Sequence, residues 1–369
     1  MPGVFFIKMG TEKCENGLNC KECDIDIVEC DVPQKRKVYL TYNQQVQTLS
    51  RRNLEFHDTE NAEYVLQNIS YYRLANAYKE YFISQKSVET NKDDYNHHYF
   101  EELVKVHDFD KQIGAILFKY ILRIENTLRS VLAYSISGII GYEQKDYLNV
   151  YNYNEGKKYY NPAANRCVSE RETTFGFIDN ARNNRHSKPI QHYIAREGNI
   201  PPWIIMFELD FGKVIFWYKL CKEDIHTAIL ERVLSTDNCP GLESRKSLFM
   251  NSLELCSHYR NAIAHGQRVI NNDCTRELPK FPLLEYVNLK CISEEIYLNK
   301  IQKNPFASIV VAVYILFSKR KTVRSEFVRE LKTEFEMFGK HYPDIHGAIL
   351  KEMDLPENFF SLFDDLLNK

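Results

Sequence analysis

The chain has 369 residues, and 44% of them are hydrophobic. This length is enough for about two hydrophobic cores, since one domain usually takes about 100–200 residues, and the composition excludes a chain that is disordered throughout. The 48 lysines and arginines nearly balance the 50 aspartates and glutamates, for a formal net charge of −2. Because a general nucleic-acid binder is strongly basic, any RNA-binding surface on this protein has to be local.

The sequence also argues against a membrane or secreted protein. The longest uncharged apolar run, residues 309–317, is far shorter than the roughly 20 residues of a membrane-spanning helix. The first residues contain neither a basic cluster followed by a long apolar stretch nor a small-residue cleavage site. We therefore expect a cytoplasmic protein without a membrane partner.

The N-terminus is rich in cysteine. Its four cysteines are Cys14, Cys20, Cys23 and Cys30. Four thiolates at this spacing fit a tetrahedral structural zinc, and segments of this size often need a metal to fold. One CxxC with unequal flanks is less specific than two, so a flexible tail with free thiols is the alternative. Residues 1–36 are predicted to form an extension separate from the rest.

Beyond this extension the chain predicts helices in succession. The clearest pattern runs from residue 100 to about 140, where apolar side chains recur at steps of three and four. Residues 143–200 are polar and predict an insertion of loops and short helices. No segment shows the alternation and turn signals of a sheet, so the predicted fold class is all-α. The other helical patterns cover about residues 41–84, 202–233, 244–265, 305–317, 322–338 and 356–367.

The most informative segment is residues 248–267, which predict a helix stopped by Gly266. At about 100° per residue, one polar side of this helix carries Glu254, His258, Asn261 and His265. Arg260 lies about 140° from His265 on an ideal helix. The two side chains converge only if the last turn distorts or if a second copy of the chain completes the site.

An arginine and a histidine near one helix end suit the cleavage of RNA by its own 2′-hydroxyl. His265 can move a proton near neutral pH, and Arg260 can hold the scissile phosphate, so no metal is required. Asn261 precedes His265 by four residues and can orient the imidazole. The R-x4-H spacing alone is weak, because it occurs often by chance and a histidine in the last turn is commonly only a partner of the helix dipole.

A metal site is a competing interpretation of the same helix. Glu254, His258 and His265 could act as ligands, but they would need a distorted helix and further ligands from elsewhere. We regard this as the weaker alternative to acid–base chemistry.

Residues 260–265 read RNAIAH and resemble the R-N-x3-H signature of HEPN ribonuclease domains. The chain as a whole resembles the abortive-infection family of the AbiD and AbiF type. Its matching stretches are residues 37–45, 69–74, 123–129, 201–204 with 211–212, and 353–359.

The resemblance implies a HEPN-like helical bundle at residues 96–290, with the insertion at 143–200 and helical additions at 37–95 and 291–369. It further implies a homodimer whose two motifs face one cleft. The activity it implies is that of a metal-independent endoribonuclease in phage defence or a toxin, with no cofactor for catalysis. The cysteine-rich extension departs from the family.

The resemblance assigns catalysis to Arg260 and His265, with Asn261 beside them. Site-shaping roles are predicted for Arg123, Glu125 and His258. The alternative for Glu125 is a simple i, i+4 ion pair with Arg129 on a solvated helix face. Tyr71, Tyr72 and Arg73 are expected to pack the N-terminal helices against the core rather than to touch RNA.

The best local candidate for an RNA surface is the segment 181–196, which contains basic residues, two histidines and a tyrosine but no acid. Basic groups beside stacking rings fit single-stranded RNA. The predicted RNA-binding residues are Arg182, Arg185, Lys188 and Arg196. An exposed, solvated loop is the alternative, since runs of charge commonly form one.

Two functions therefore compete. The first is a dimeric endoribonuclease of the toxin or defence type, and the second is a catalytically idle RNA-binding or regulatory scaffold. The presence of both Arg260 and His265 favours the enzyme. The sequence leaves open whether an antitoxin or a small non-coding RNA is a partner.

Overall fold

The computed structural model describes residues 39–83, 93–235, 241–286, 294–302, 304–355, 359–360 and 363. The chain divides into two units, residues 1–41 and 42–369, and every element below belongs to the second. Cys14, Cys20, Cys23 and Cys30 lie outside the described residues, so the zinc prediction stays a prediction. Most of the helix predicted at residues 356–367 also lies outside them.

The N-terminal half of the second unit is helical apart from one hairpin. Its first helices are α1 (Tyr42–Ser50), α2 (Thr59–Asn68), α3 (Tyr71–Tyr78) and α4 (Phe100–Ile139), with a 3₁₀ turn at Lys79–Tyr81. The insertion contains α5 (Gln144–Tyr147), a 3₁₀ turn (Val150–Asn152), strands β1 (Lys158–Asn161) and β2 (Arg166–Ser169), α6 (Glu170–Arg182) and α7 (Lys188–Glu197).

The C-terminal half continues with helices of very different lengths. The next helices are α8 (Pro202–Glu208), α9 (Phe211–Leu220), α10 (Glu223–Val233), α11 (Leu242–Ala264), α12 (Lys280–Tyr286) and α13 (Glu294–Ile296). A π turn (Tyr297–Ile301) leads to α14 (Pro305–Leu316), α15 (Lys321–His341) and α16 (Pro343–Glu352). The mainly all-α fold class is confirmed.

The hairpin corrects the expectation that no strand occurs. Strands β1 and β2 have four residues each and pair antiparallel, with Lys158 opposite Ser169. Most of their side chains are exposed, so the sequence lacks the apolar alternation that reveals a half-buried strand. The turn is held instead by the side chain of Asn161, which accepts hydrogen bonds from the backbone N–H groups of Ala163 and Ala164.

Helix α4 is the longest element and organises the bundle. Its 40 residues span about 60 Å, and it packs against α3, α8, α10, α11 and α15. Gly114 marks the closest approach, because a Cβ there would lie 3.3 Å from Val269 Cγ2 and 3.7 Å from Ile263 Cγ2. The glycine therefore lets α4 pass close to the end of α11.

Helix α14 is the buried helix that covers α11. Residues 306–316 of α14 are all buried, and the helix packs against both α11 and α4. Its start is fixed by Asn304, whose side chain accepts a hydrogen bond from the backbone N–H of Ala307, with Pro305 at the first helical position.

Within the part of the chain that the structure describes, no helix is both long and apolar enough to cross a membrane.

Candidate active site

Helix α11 ends in a sharp, well-bonded turn. Gly266 has φ +69°, a left-handed conformation that costs glycine little. The backbone N–H of Gly266 donates to the carbonyl of Ile263, and that of Gln267 donates to the carbonyl of Ala262, each at 2.9 Å. These two bonds form the Schellman pattern that terminates many helices. The turn leaves His265 as the last residue before the chain leaves the helix axis.

His265 is exposed, and its imidazole makes no hydrogen bond with any residue that the structure describes. Its backbone carbonyl accepts a hydrogen bond of 3.2 Å from Nη2 of Arg73 on α3. The predicted contact from the amide of Asn261 to the imidazole is not formed, and Oδ1 of Asn261 instead accepts from Nη1 of Arg260 at 3.4 Å. The ring is therefore accessible to a substrate and is positioned through its own backbone.

Arg260 lies at a buried carboxylate rather than in open solvent. Its Nε is 3.6 Å from Oε2 of Glu125 on α4, and its side chain is 32% exposed. Glu125 itself is only 2% exposed, and its other oxygen lies 2.6 Å from Nη2 of Arg129. Arg129 also donates to the carbonyl of Leu209 at 2.8 Å. A single carboxylate thus lies between the two arginines, close to Arg129 and in a longer ionic contact with Arg260.

A second carboxylate lies close to Arg260. Asp210 begins α9, where its side chain accepts a hydrogen bond from the backbone N–H of Lys213 and pairs with the Lys213 ammonium at 2.7 Å. Although burial acts to raise the pKa of Asp210, the hydrogen bonds from Lys213 and the charges of Lys213 and Arg260 lower it below its usual range. Asp210 is therefore ionised near neutral pH and adds to the field that holds the guanidinium.

These contacts change the predicted roles of the α4 residues. The Glu125–Arg129 ion pair exists, but the alternative that placed it on a solvated face is wrong, because Glu125 is buried. Arg123 lies elsewhere, 3.9 Å from Glu326 of α15 and with its guanidinium over the ring of Tyr120. The structure thus brings Glu125 to Arg260 and does not bring Arg123 there.

The loop after His265 is anchored by a buried aspartate that the sequence argument missed. Oδ1 of Asp110 accepts hydrogen bonds from the backbone N–H groups of Val269 and Ile270 at 2.8 and 2.9 Å. Its other oxygen accepts from the hydroxyl of Tyr78 at 3.0 Å. Burial and the charge of Asp110 raise the pKa of Tyr78, so this hydroxyl keeps its proton. The sequence feature that could have revealed Asp110 is a carboxylate within the apolar stripe of α4, between Val106 and Ile113.

The other polar residues of α11 are also engaged. Nε2 of His258 lies 2.8 Å from Oδ1 of Asn272, to which it can donate, and Glu254 pairs with Arg276. Asn261 and His258 line a groove between α9 and α11 but do not meet. Across the described ranges, no cluster of three or more histidine, cysteine or acidic residues could hold a metal ion. The metal interpretation of Glu254, His258 and His265 gains no support from this arrangement.

A family model described as Abi-like protein matches residues 64–271. The chain belongs to the Abi-like protein family. The Abi-like region begins within α2 and ends in the loop after α11, so it includes the Glu125–Arg260 pair and His265 but none of the later helices. This membership supports a role in abortive-infection defence. Comparisons with curated proteins and with solved structures gave no match.

Within the Abi-like region, the predicted RNA-binding residues Arg182, Arg185 and Lys188 lie at the α6–α7 corner, and Arg196 lies in the last turn of α7. Arg182 ends α6 and pairs with Asp179, whereas Arg185, Lys188 and Arg196 are exposed. Ser187 and Asn184 bind the two carboxylate oxygens of Glu208 at 2.5 and 2.9 Å, which ties this corner to α8. The segment is therefore an ordered corner with a basic surface, not a loose loop.

The expectation for residues 71–73 is only partly right. Tyr71 is half-buried and packs against the core as expected, beside the buried residues Leu74, Ala75 and Tyr78 of α3. Tyr72 and Arg73 are exposed and face a cleft beside Gly266.

Proposed function

We propose that this protein is a metal-independent endoribonuclease of the HEPN type, related to the AbiD and AbiF proteins, that acts in abortive-infection defence or as a toxin. The observation that carries the proposal is the end of α11. There the exposed imidazole of His265 lies five residues after Arg260, and the buried carboxylate of Glu125 contacts that arginine. Membership of the Abi-like family supports the biological role.

The chemistry assigns one task to each residue. The 2′-oxygen of the substrate attacks the adjacent phosphorus, and the bond to the 5′-oxygen of the next nucleotide breaks. The His265 imidazole removes the 2′-hydroxyl proton, and its imidazolium or water returns a proton to the leaving 5′-oxygen. Arg260 binds the non-bridging phosphate oxygens, where negative charge builds up in the transition state. The products carry a 2′,3′-cyclic phosphate and a 5′-hydroxyl.

The direct test is to incubate the purified protein with total RNA in EDTA and to map the new ends. We expect cleavage to persist in the chelator and to leave 2′,3′-cyclic phosphates. Activity that vanishes in EDTA and returns with Mg²⁺ would show a different mechanism, since two-metal nucleases depend on bound cations.

The second candidate function is an idle RNA-binding or regulatory scaffold. It is favoured by the ion pair of Arg260 with Glu125, because such a pair can serve the fold alone. RNA binding without any cleavage, under the same conditions, would identify this function. Either function is compatible with an antitoxin protein or a small non-coding RNA as a partner that restrains the protein.

We propose that the active form is a two-fold dimer. Arg260 is directed toward Glu125 on α4 while His265 lies at the exposed helix end, so a second copy can complete each site. Mixing equal amounts of inactive Arg260→Ala and His265→Ala chains is then expected to restore about a quarter of the wild-type activity, because half of the dimers are mixed and each has one intact site. Each variant alone is the control. A fully active monomer in light scattering would contradict the dimer.

We propose further that the α6–α7 corner, together with the last turn of α7, attracts the RNA backbone. Changing Arg182, Arg185, Lys188 and Arg196 together to serine is expected to weaken RNA binding and to flatten its salt dependence, because fewer counterions are released. The cut positions should stay the same, since phosphate contacts position a strand without reading it. Filter binding on catalytically inactive protein across a salt series measures both effects. An unchanged affinity and slope would assign this corner to the solvated surface.

A further inference from the structure

A cleft lies beside the candidate active site and does not include Arg260. It lies between α3, the first half of α4 and the loop that follows α11, and Gly266 and Gln267 form part of its wall. We refer to it as the α3 cleft. Its lining residues with chemical interest are Tyr72, Arg73, Asn76, Lys111 and Arg268.

Hydrogen bonds connect the α3 cleft to the turn that carries His265. Nη2 of Arg73 donates to the carbonyl of His265 at 3.2 Å, and a Cβ on Gly266 would lie 3.0 Å from Nη1 of the same arginine. Lys111 donates to the carbonyls of Gly266 and Gln267 at 3.2 and 3.1 Å. A ligand in the cleft would therefore lie next to the residue that carries the candidate catalytic imidazole.

Most cations of the cleft already have partners. Lys111 lies 3.2 Å from Asp110, and Arg268 pairs with Glu80. Arg73 differs, because it is exposed and its contact among the described residues is to a carbonyl rather than to a carboxylate. Asp273 also lines the cleft and reduces its positive charge. The cleft therefore suits a ligand with one phosphate at Arg73, not a long polyanion.

An exposed ring stands beside this arginine. The side chain of Tyr72 is 71% exposed and lines the cleft, and within the described ranges it makes no ring contact and no hydrogen bond. An exposed aromatic side chain in one cleft with a guanidinium that has no carboxylate partner among the described residues is an arrangement on which single-stranded nucleic acids stack. The side-chain amide of Asn76, also in the lining, can pair with the edge of a base.

We propose that the α3 cleft binds the nucleotide adjoining the scissile phosphate of a single-stranded RNA, with its base stacked on Tyr72 and its phosphate held by Arg73. This inference rests on the proposed ribonuclease function. It makes α3 part of the substrate site, beside the turn that carries His265.

The test measures binding of a short, mixed-sequence single-stranded RNA to the full chain carrying His265→Ala. Adding Tyr72→Ala should weaken binding about tenfold or more without changing the salt slope, and adding Tyr72→Phe should keep affinity within about twofold, since the base stacks on the ring. Adding Arg73→Gln should weaken binding and reduce the slope of log K against log salt by about 0.7, the value for one phosphate contact on a single strand.

Matched controls are available on other surfaces. Tyr151 is 79% exposed in the 3₁₀ turn of the insertion, and Arg329 is exposed on α15. Tyr151→Ala and Arg329→Gln should leave both affinity and slope unchanged. Thermal unfolding of every variant separates a loss of binding from a loss of fold, and Tyr72→Ala alters only an exposed ring.

A second measurement locates the RNA independently. A 4-thiouridine-containing strand should crosslink to a peptide from α3, and the crosslink should be lost with Tyr72→Ala. If RNA binds and is cleaved in EDTA while the α3 variants bind normally and crosslinks map elsewhere, this inference is wrong and the proposed function stands. If the protein neither binds nor cleaves RNA, both are wrong.

Discussion

Replacing Arg260 or His265 with alanine is expected to abolish RNA cleavage and to relieve toxicity while leaving the helical fold intact. Loss of a positioned general acid or base reduces the rate about 10²–10⁴-fold, and loss of a group that stabilises transition-state charge costs a similar factor. His265 is exposed and its imidazole has no partner in the described part of the chain, so its removal should change the free energy of unfolding by less than about 0.5 kcal/mol. Cleavage assays and circular dichroism measure the two effects.

The matched control for this experiment is His341. It is also exposed and also ends a helix, α15, but lies outside the candidate site. His341→Ala should retain wild-type cleavage. Equal activity in His265→Ala and His341→Ala would remove the acid–base role from His265.

Replacing Glu125 with alanine is expected to lower the free energy of unfolding by about 3–5 kcal/mol, the cost of breaking a buried ion pair by removing one partner. Glu125 is 2% exposed and is the carboxylate of both Arg129 and Arg260, so its loss leaves the largely buried Arg129 guanidinium without a counter-charge. Glu125→Gln keeps the shape and should cost less. Urea unfolding at neutral pH measures the difference.

Glu326 supplies the contrast for this prediction. It pairs with Arg123 at 3.9 Å, and the two side chains are 39% and 45% exposed. Glu326→Ala should cost no more than about 1 kcal/mol, because exposed ion pairs contribute little. A Glu125→Ala protein as stable as Glu326→Ala would mean that the buried carboxylate does not support the site.

Glu125→Gln also separates stability from catalysis. With the charge removed, the Arg260 guanidinium loses the group that limits its position, so cleavage should fall in a protein that still folds. Unchanged cleavage would show that Arg260 is positioned by other contacts, such as that of Asn261.

The sequence determined the helices because helical periodicity is local. Spacing alone placed α4 at residues 100–140 and the stop of α11 at Gly266, and the structure has these helices at Phe100–Ile139 and Leu242–Ala264. Each apolar stripe repeats within one or two turns, and glycine ends a helix through its own conformation. The sequence did not predict the short hairpin, because its mostly exposed strands have no repeating apolar pattern.

The sequence identified part of the candidate site, and the packing of the helices decided the rest. The sequence identified Arg260 and His265 through their spacing and through a family resemblance, and residues 64–271 match the Abi-like family. The sequence predicted a site-shaping role for Glu125, with an ion pair to Arg129 as the alternative. It could not specify the contact of Glu125 with Arg260, because that contact requires α4 and α11 to pack together.

Only the tertiary structure decided which groups surround the end of α11. Arg73 and the carbonyl of His265 are 192 positions apart in the chain, and Asp110 and Val269 are 159 apart. No pattern within one helix encodes such pairs, since they depend on how the faces of different helices pack. The same packing buries Glu125, for which a solvated helix face was the alternative, and exposes Tyr72, which was expected to pack against the core. Burial of a polar side chain is decided by what packs over it, whereas the helix that carries it is decided by its neighbours in sequence.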